Sequence, residues 1–230
     1  MTNHIYEKYV LATANPGKIN EMQLLLSGLG IEAVTRCDLG IDIEIEETGT
    51  TFLENATLKA KKICSLSGMP AIADDSGLIV DSLGGRPGVY SSTFGGEGLT
   101  STERCRYLLN EIIKSGIAGK TEQRSAKFVC TIVCIFPDGY MLTATGECRG
   151  EITKELCGSG GFGYDPVFLP GGFEKTMAEL STFDKNKISH RGKALRCFVD
   201  LLKIYNEVKM SPSSKASQTR LYEDESGGTI

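Results

Sequence analysis

Segments with the apolar spacing of helices alternate along the chain with segments that have the spacing of β-strands. A buried strand is predicted over residues 9–13. The helix that follows begins at Asn15, a good N-cap, with Pro16 at its first position. The apolar positions that recur along this helix are Ile19, Met22, Leu25, Leu26 and Leu29.

Two acidic doublets each follow a predicted strand. Ile41, Ile43 and Ile45 alternate with acidic residues, which predicts a half-buried strand that ends at Glu46-Glu47. Residues 71–73 predict a short strand that leads into Asp74-Asp75-Ser76-Gly77, a sequence that alone is typical of a turn.

The remaining elements complete an alternating pattern that also contains a hairpin. They are helices over residues 52–67, 100–116 and after Ser189, and a hairpin of strands over residues 126–136 and 140–147. Because hairpins occur beside strand–helix alternation, the predicted fold class is α/β, with a long mixed sheet flanked by helices.

Composition narrows the class of protein. The 230 residues, 40% of them hydrophobic, can bury one sizeable core or two small lobes around a cleft. We expect one domain over residues 1–210 and a disordered tail, rich in Ser, Gly and charge, over residues 211–230. The net charge of −4 gives no general attraction for nucleic acid. We also expect no membrane span and no signal peptide. The cysteines lack a CxxC or zinc-site spacing, which favours reduced thiols in the cytoplasm.

The segment Ser189–Gly192 contains one of the two histidines of the chain. Ser189 is an N-cap, so His190 and Arg191 are predicted to lie in the first turn of the final helix, after an irregular polar segment over residues 184–187. Cations do not stabilise the positive end of a helix. The pair suits an acceptor-rich ligand, although for this segment alone an exposed helix end is the better explanation.

Residues 13–18 (Thr-Ala-Asn-Pro-Gly-Lys) place Lys18 in the first turn of a helix that directly follows a strand. This is anion-binding geometry, although a capped helix with an exposed lysine is an equal alternative. It is not a Walker A loop, because the early glycine is missing and Ile19 stands where Ser or Thr would hold magnesium.

Carboxylates from both acidic doublets would converge if the strands before them end at the same edge of the sheet. Such a pair suits Mg²⁺, and an aspartate there could also deprotonate a water. Lys59 would add positive charge if its helix faces the doublets. The alternative is that both doublets are solvated turns.

A glycine-rich segment, Gly158–Gly163, formally satisfies GxGxxG. Tyr164-Asp165-Pro166 cannot open a helix directly after it, so a dinucleotide site is not predicted. The glycines could still let the backbone approach a ligand, with Phe162 or Tyr164 as a stacking face.

In order and spacing, these pieces resemble the inosine triphosphate pyrophosphatase family, which removes non-canonical purine nucleotides. Each segment is weak alone, and the ordered set is highly specific. The matching segments are Thr13-x-Asn15-x-x-Lys18, Glu46-Glu47-Thr48-Gly49, Thr51-Phe52-x-Glu54-Asn55-Ala56, Ala73-Asp74-Asp75-Ser76-Gly77-Leu78, Gly85-x-Pro87-Gly88-Val89-Tyr90-Ser91, Gly161-Phe162-Gly163-Tyr164-Asp165-Pro166, Ala178-Glu179-Leu180 and Ser189-His190-Arg191-Gly192.

The resemblance implies two lobes with a central substrate cleft, usually a homodimer, and hydrolysis of ITP, dITP or XTP to the monophosphate and pyrophosphate with Mg²⁺. It implies that Asp75 is the catalytic proton acceptor and that Glu47 and Asp75 bind the metal. The substrate-binding residues that it implies are Thr13, Ala14, Asn15, Pro16, Gly17, Lys18 and Lys59 at the phosphates, Ser76 beside them, and Phe162, Gly163, Tyr164, Asp165, Lys185, His190 and Arg191 at the nucleoside.

Other functions fit some of the same residues. The alternatives are a catalytically idle nucleotide-binding protein, a house-cleaning enzyme for other modified nucleotides, and a thiol-redox or zinc protein. Many relatives carry an arginine where this chain has Thr93, so no arginine role transfers to that position. The resemblance does not decide between ITP and XTP, or between ribose and deoxyribose.

Overall fold

The computed structural model describes residues 6–28, 30–116 and 124–211, and the predicted tail lies outside them from residue 212 onward. In these ranges six strands form one sheet in the order β2-β1-β3-β4-β5-β6. The strands β1 to β6 are Lys8–Leu11, Glu32–Thr35, Ala71–Val80, Ser125–Ile135, Met141–Ile152 and Phe168–Pro170. The helices α1 to α5 are Pro16–Ser27, Phe52–Ser67, Ser101–Lys114, Thr182–Ile188 and His190–Met210. β1 runs parallel to β2 and β3, and the other neighbours are antiparallel, which confirms the predicted mixed sheet.

The predicted helix starts are confirmed by their caps. The Asn15 side chain accepts hydrogen bonds from the backbone N–H groups of Gly17 and Lys18, at 2.9 and 3.3 Å. Thr51 and Thr100 each form a reciprocal capping box with the glutamate three residues later. These side chains satisfy N–H groups that have no acceptor within the helix. No helix in the described ranges is both long and apolar enough to cross a membrane.

The prediction of a short strand followed by an Asp-Asp-Ser-Gly turn is wrong. β3 runs unbroken through this segment and pairs residue for residue with β4, with Asp74 opposite Ile132 and Asp75 opposite Thr131. The ladder uses backbone groups only, so long-range pairing overrides the turn composition of the side chains. Both aspartates therefore lie inside a strand instead of after one. β1 pairs with β3 at Ala71 and Ile72, so the carboxylates lie just beyond the end of β1.

Two further predictions about local structure are corrected. Ile41, Ile43 and Ile45 lie in a segment without regular secondary structure, so Glu46-Glu47 does not follow a strand. The three isoleucines pack half-buried against the cluster beneath α2, and their alternation reports this one-sided burial. The polar segment at residues 184–187 lies within α4, which Ser181 caps, and is not irregular.

Three apolar clusters cover the sheet. One joins α1 and α5 to one face, around Ile72, Cys130 and Phe198. Another joins α2 to the opposite face, around Ala73 and Val133. A third lies at the other end of the long strands β3 to β5 and packs them against α3 and β6. The long strands thus carry separate cores at their two ends, and the cleft described below is lined from both.

Glycines hold the start of α5 close to its neighbours. A Cβ atom on Gly146 of β5 would lie 2.3 Å from the His190 carbonyl oxygen. A Cβ atom on Gly192 would lie 1.9 Å from the carbonyl oxygen of Asn186, in α4. Side chains at these positions would push the first turn of α5 away, so the glycines fix where His190 and Arg191 stand.

Candidate active site

A cleft of about 560 Å³ lies at the carboxyl end of β1 and along β3. Most of the residues that the sequence singled out line it. Those that line it are Thr13, Ala14, Asn15, Lys18, Glu47, Lys59, Asp75, Ser76, Phe162, Gly163, Tyr164, Asp165, Lys185, His190 and Arg191. Pro16 and Gly17 are absent from the lining: Pro16 opens α1, and Gly17 packs against the ring of Phe162.

Asp74 is a buried anion, and two cations, Lys18 and Arg191, lie close to its carboxylate. Its Oδ2 atom lies 3.0 Å from Lys18 Nζ and 3.3 Å from Arg191 Nε, and accepts a hydrogen bond from Ser76 Oγ at 2.8 Å. Burial alone would raise the pKa of Asp74, but the charges of Lys18, Arg191 and Lys59 outweigh it and hold the pKa well below its usual range. Asp74 is therefore ionised and fixes the two cations nearest to it.

Asp75 faces the other side of β3, because successive side chains of a strand alternate between its faces. Lys59 Nζ lies 2.9 Å from Glu47 Oε1 and 3.3 Å from Asp75 Oδ1, so the lysine joins the two carboxylates. Asn55 donates to Asp75 Oδ2 at 3.3 Å and accepts from the Gly49 backbone N–H at 2.8 Å. These bonds tie the segment of residues 46–49, which contains Glu47, to α2. The predicted convergence of Glu47, Lys59 and Asp75 thus occurs, although neither carboxylate follows a strand.

The environment of Asp75 raises its pKa, whereas the environment of Asp74 lowers the pKa of that carboxyl. Burial raises the pKa of Asp75, Lys59 lowers it, and Glu47 raises it, with a net increase. Burial would lower the pKa of Lys59, but Asp75, Asp74 and Glu47 outweigh this and raise it. A carboxylate of increased basicity beside a fixed ammonium suits proton transfer from a water.

His190 lies at the opposite end of the cleft, stacked on Phe128 of β4 with ring centroids 4.7 Å apart. Burial lowers the pKa of His190 well below its usual value, and the nearby charges of Arg191 and Lys185 lower it further. The imidazole is therefore neutral near pH 7. Its Nδ1 atom is buried and has no hydrogen-bond partner among the described residues. A ligand that meets this atom would satisfy it.

Glu21 of α1 pairs with two cations at this end, Lys185 and Arg191. The sequence alone did not mark Glu21 as a site residue. Its carboxylate accepts from Arg191 Nη1 and from Lys185 Nζ, the latter at 3.1 Å. Lys185 also lies 2.8 Å from Asp165 Oδ2, which accepts the Phe162 backbone N–H at 2.8 Å. The signal in the sequence was a glutamate one turn after Lys18 on a helix aimed at the site, which is too common to be diagnostic. Arg191 is thus held by two carboxylates and does not stand free at the helix end.

The glycine-rich segment has a packing role beside the ring of Phe162. A Cβ atom on Gly161 would lie 2.1 Å from Asp165 Oδ2, and Gly160 donates to the Ala178 carbonyl at 3.0 Å. A single 3₁₀ turn and β6 follow, where a dinucleotide fold would need a helix. Lys185 Nζ lies 4.7 Å from the centroid of the half-buried Phe162 ring. The glycines therefore place an aromatic ring at the cleft wall.

Two features of the cleft escaped the sequence analysis because no local pattern marks them. Arg36, after β2, and Phe128, within β4, reach the cleft only through the order of the strands. Thr93 lies outside the lining and is exposed.

The fold and the cleft together define an α/β protein with a polar site that differs at its two ends. One end has a capped helix start, Lys18 and Lys59 with Glu47 and Asp75, and it suits phosphoryl groups and a cation. The other end has a neutral imidazole and aromatic rings, and it suits a planar ring that carries hydrogen-bonding groups.

Comparison with known proteins gives the family. The Ham1 family profile matches residues 9–201. The chain is 47% identical over 199 residues to the dITP/XTP pyrophosphatase of Shigella flexneri, which covers 86% of this chain and 98% of that protein. It is 48% identical over 201 residues to the dITP/XTP pyrophosphatase of Aquifex aeolicus, and the match covers 85% of this chain and 96% of that protein. A HAM1 protein structure from Coxiella burnetii superposes with a TM-score of 0.77 at 39% identity, over 88% of this chain and 100% of that one. The chain belongs to the Ham1 family.

Removing the charge of Glu21 tests whether the buried network holds the site together. We expect Glu21→Gln to lower the free energy of unfolding by about 3 kcal/mol, because it takes away an anion shared by two buried cations. Urea unfolding followed by circular dichroism measures this. Glu32→Gln is the matched control, since Glu32 pairs with Lys8 at the surface and should cost about 1 kcal/mol or less. An equal loss of unfolding free energy in the two variants would show that the buried network stabilises the fold no more than a surface ion pair does.

The neutral state of His190 predicts a pH dependence of stability. Below pH 6.5, the ordinary pKa of histidine, the unfolded chain binds a proton that folded His190 does not. The free energy of unfolding should therefore fall as the pH decreases, by up to about 1.4 kcal/mol per pH unit from this group. Unfolding curves from pH 8 to about pH 5 for wild type and His190→Gln measure it. The difference between the two proteins should be constant above about pH 7 and change below it; parallel curves throughout would mean that folding does not lower the pKa of His190.

Proposed function

We propose that this chain hydrolyses non-canonical purine nucleoside triphosphates (ITP, dITP and XTP) to the nucleoside monophosphate and pyrophosphate. The observation that carries the proposal is the group of Glu47, Lys59 and Asp75, in which a carboxylate of raised pKa lies beside a fixed cation within the cleft. The relatives named dITP/XTP pyrophosphatase support the same substrate class.

The phosphate end is formed by residues 13–18 and Lys59. Thr13, Ala14, Asn15 and Lys18 line the cleft, and Pro16 and Gly17 shape the turn behind them. The Asn15 side chain occupies the N–H groups of Gly17 and Lys18, so phosphoryl oxygens would meet the lysine ammonium groups and the remaining polar atoms of the turn. Ser76 lines the cleft, donates to Asp74 and accepts from Arg191, and would touch the substrate.

Mg²⁺ is the proposed cofactor, held by Glu47 and Asp75. Their oxygens already meet at one positive charge, the Lys59 ammonium, so this point of the cleft suits a cation. Magnesium is commonly bound by one or two carboxylates together with phosphate oxygens and waters, and carboxylate oxygens are what the cleft provides here. When bound, the ion supplies neutralisation of the charge on the phosphoryl groups.

Asp75 is the proposed proton acceptor. It would take a proton from the water that attacks phosphorus, while the bond between the α and β phosphoryl groups breaks and pyrophosphate leaves. Its raised pKa increases its proton affinity, and Lys59 and Asn55 hold the carboxylate in place. The Lys18 and Lys59 ammonium groups lie where negative charge would be stabilised.

Phe162, Gly163, Tyr164, Asp165, Lys185, His190 and Arg191 form the proposed nucleoside end. A neutral imidazole can donate one hydrogen bond to the 6-oxo group of inosine, and a donor there meets no acceptor on the amino group of adenosine. Guanine also carries a 6-oxo group, so rejection of GTP must depend on the 2-position. The proposal also includes one two-lobed domain over residues 1–210, a homodimer and a cytoplasmic location, for which the resemblance and the free thiols are the support.

A panel of nucleoside triphosphates at equal concentration, with orthophosphate and pyrophosphate measured separately, tests the substrate and the cleaved bond together. We expect pyrophosphate from ITP, dITP and XTP with Mg²⁺, at rates roughly a hundredfold or more above ATP. A preference for UTP or dTTP would exclude the purine assignment. Tight ITP binding without release of pyrophosphate would indicate an idle nucleotide-binding protein.

A further inference from the structure

Arg36 lies at the same edge of the sheet as the predicted phosphate turn. β1 and β2 run parallel with Leu11 opposite Thr35, and the Arg36 backbone N–H donates to the Leu11 carbonyl at 3.2 Å. Arg36 is therefore the first residue beyond β2, as Ala12 is the first beyond β1. Its side chain lines the cleft together with Glu44, Ile45 and Glu47.

The guanidinium of Arg36 is only partly satisfied by the protein. Its Nη1 atom donates to the Ile43 carbonyl, and this bond ties the segment around Ile43 to the end of β2. Its Nε atom is buried and has no hydrogen-bond partner within the described part of the chain. A buried N–H group without an acceptor is costly, so an acceptor from a ligand would be favourable here.

The charge of Arg36 is also uncompensated, in contrast to the other cations of the site. Lys18, Lys59, Lys185 and Arg191 each lie within 3.3 Å of a carboxylate oxygen. Among the described residues no carboxylate forms an ion pair with Arg36. Arg104, the other cleft guanidinium without a carboxylate, is bound by the carbonyls of residues 94, 96 and 99 and holds their loop. Arg36, which lines the cleft, thus has one unused donor and a positive charge that no ion pair neutralises.

The order of the strands sets which part of a ligand Arg36 meets. Across the sheet lie first β2 with Arg36 after it, then β1 with the turn of residues 13–18, then β3 with Asp75, and then β4, on whose Phe128 His190 stacks. A nucleotide whose base lies near His190 and whose phosphates pass Asp75 would extend its terminal phosphoryl groups towards β2. A guanidinium matches phosphoryl oxygens in charge and in planar geometry.

We propose that Arg36 binds the terminal phosphoryl groups of the substrate, the part that leaves as pyrophosphate. The inference rests on the proposed function for its substrate, and it assigns to Arg36 the recognition of the leaving group. Because the carboxylates beside Lys18 and Lys59 offset much of their charge, Arg36 supplies net positive charge at the end of the cleft where the polyanion is most negative.

Isothermal titration of inorganic pyrophosphate and, separately, of IMP into wild type and Arg36→Gln tests this without any need for turnover. We expect the Kd of pyrophosphate to rise roughly tenfold to a hundredfold in the variant, as for loss of a charged hydrogen bond, and the Kd of IMP to change less than about twofold. Arg149→Gln is the matched control, because its side chain is 82% exposed on β5 outside the cleft lining. It should leave both constants unchanged.

Two outcomes would overturn the assignment of Arg36. An unchanged pyrophosphate Kd in folded Arg36→Gln would show that Arg36 does not touch this group. Equal weakening of pyrophosphate and IMP would show that Arg36 only holds the Ile43 segment in place. If the Gln variant does not fold, Arg36→Lys replaces it, keeps a donor for the Ile43 carbonyl, and should weaken pyrophosphate binding by about threefold or more. Wild type that binds pyrophosphate through Arg36 but does not hydrolyse ITP would contradict the proposed function alone.

Discussion

The alternation of side chains along β3 determines how the whole site is arranged. Asp74 and Asp75 are neighbours in the chain, yet a strand directs them to opposite faces of the sheet. Asp74 faces α1 and α5 and meets Lys18 and Arg191, whereas Asp75 faces α2 and meets Lys59. One carboxylate is therefore surrounded by cations and the other shares a single cation with Glu47. Burial raises the pKa of both aspartates; the cations around Asp74 outweigh this effect, whereas the charges around Asp75 do not, so the two pKa values shift in opposite directions.

Carboxylates of the protein hold four cations of the cleft in place: Lys18, Lys59, Lys185 and Arg191. Glu21 holds Lys185 and Arg191, and Asp74 holds Lys18 and Arg191, so long flexible side chains lose little further freedom when a ligand binds. The same pairing lowers the net positive charge of the site. Such a site discriminates by the direction of its donors more than by general attraction, which agrees with a chain whose net charge is −4.

The sequence was sufficient for features that depend on local chemistry. Asn15, Thr51 and Thr100 identify helix starts because a capping side chain and its acceptor-deficient N–H groups lie within three residues of each other. The ordered motifs also brought together most of the cleft lining. Features that depend on pairing distant segments were not predictable in this way. The turn composition of Asp74–Gly77 yields to the ladder with β4, and the alternation at Ile41–Ile45 reports packing against α2 without strand partners. Glu21, Arg36 and Phe128 reach the site through the fold, and no diagnostic pattern in the sequence around them marks them.

The comparison of Asp74→Asn with Asp75→Asn tests most directly whether the two aspartates have separate roles. Both remove one carboxylate from adjacent positions of the same strand, and the measurements are the free energy of unfolding and pyrophosphate release from ITP. Asp74 is stabilised as an anion, so Asp74→Asn should lower the free energy of unfolding by about 3–5 kcal/mol. The fold disfavours ionised Asp75, so Asp75→Asn should leave stability nearly unchanged while it abolishes pyrophosphate release. Substantial turnover in Asp75→Asn, or a loss of stability equal to that of Asp74→Asn, would contradict the account.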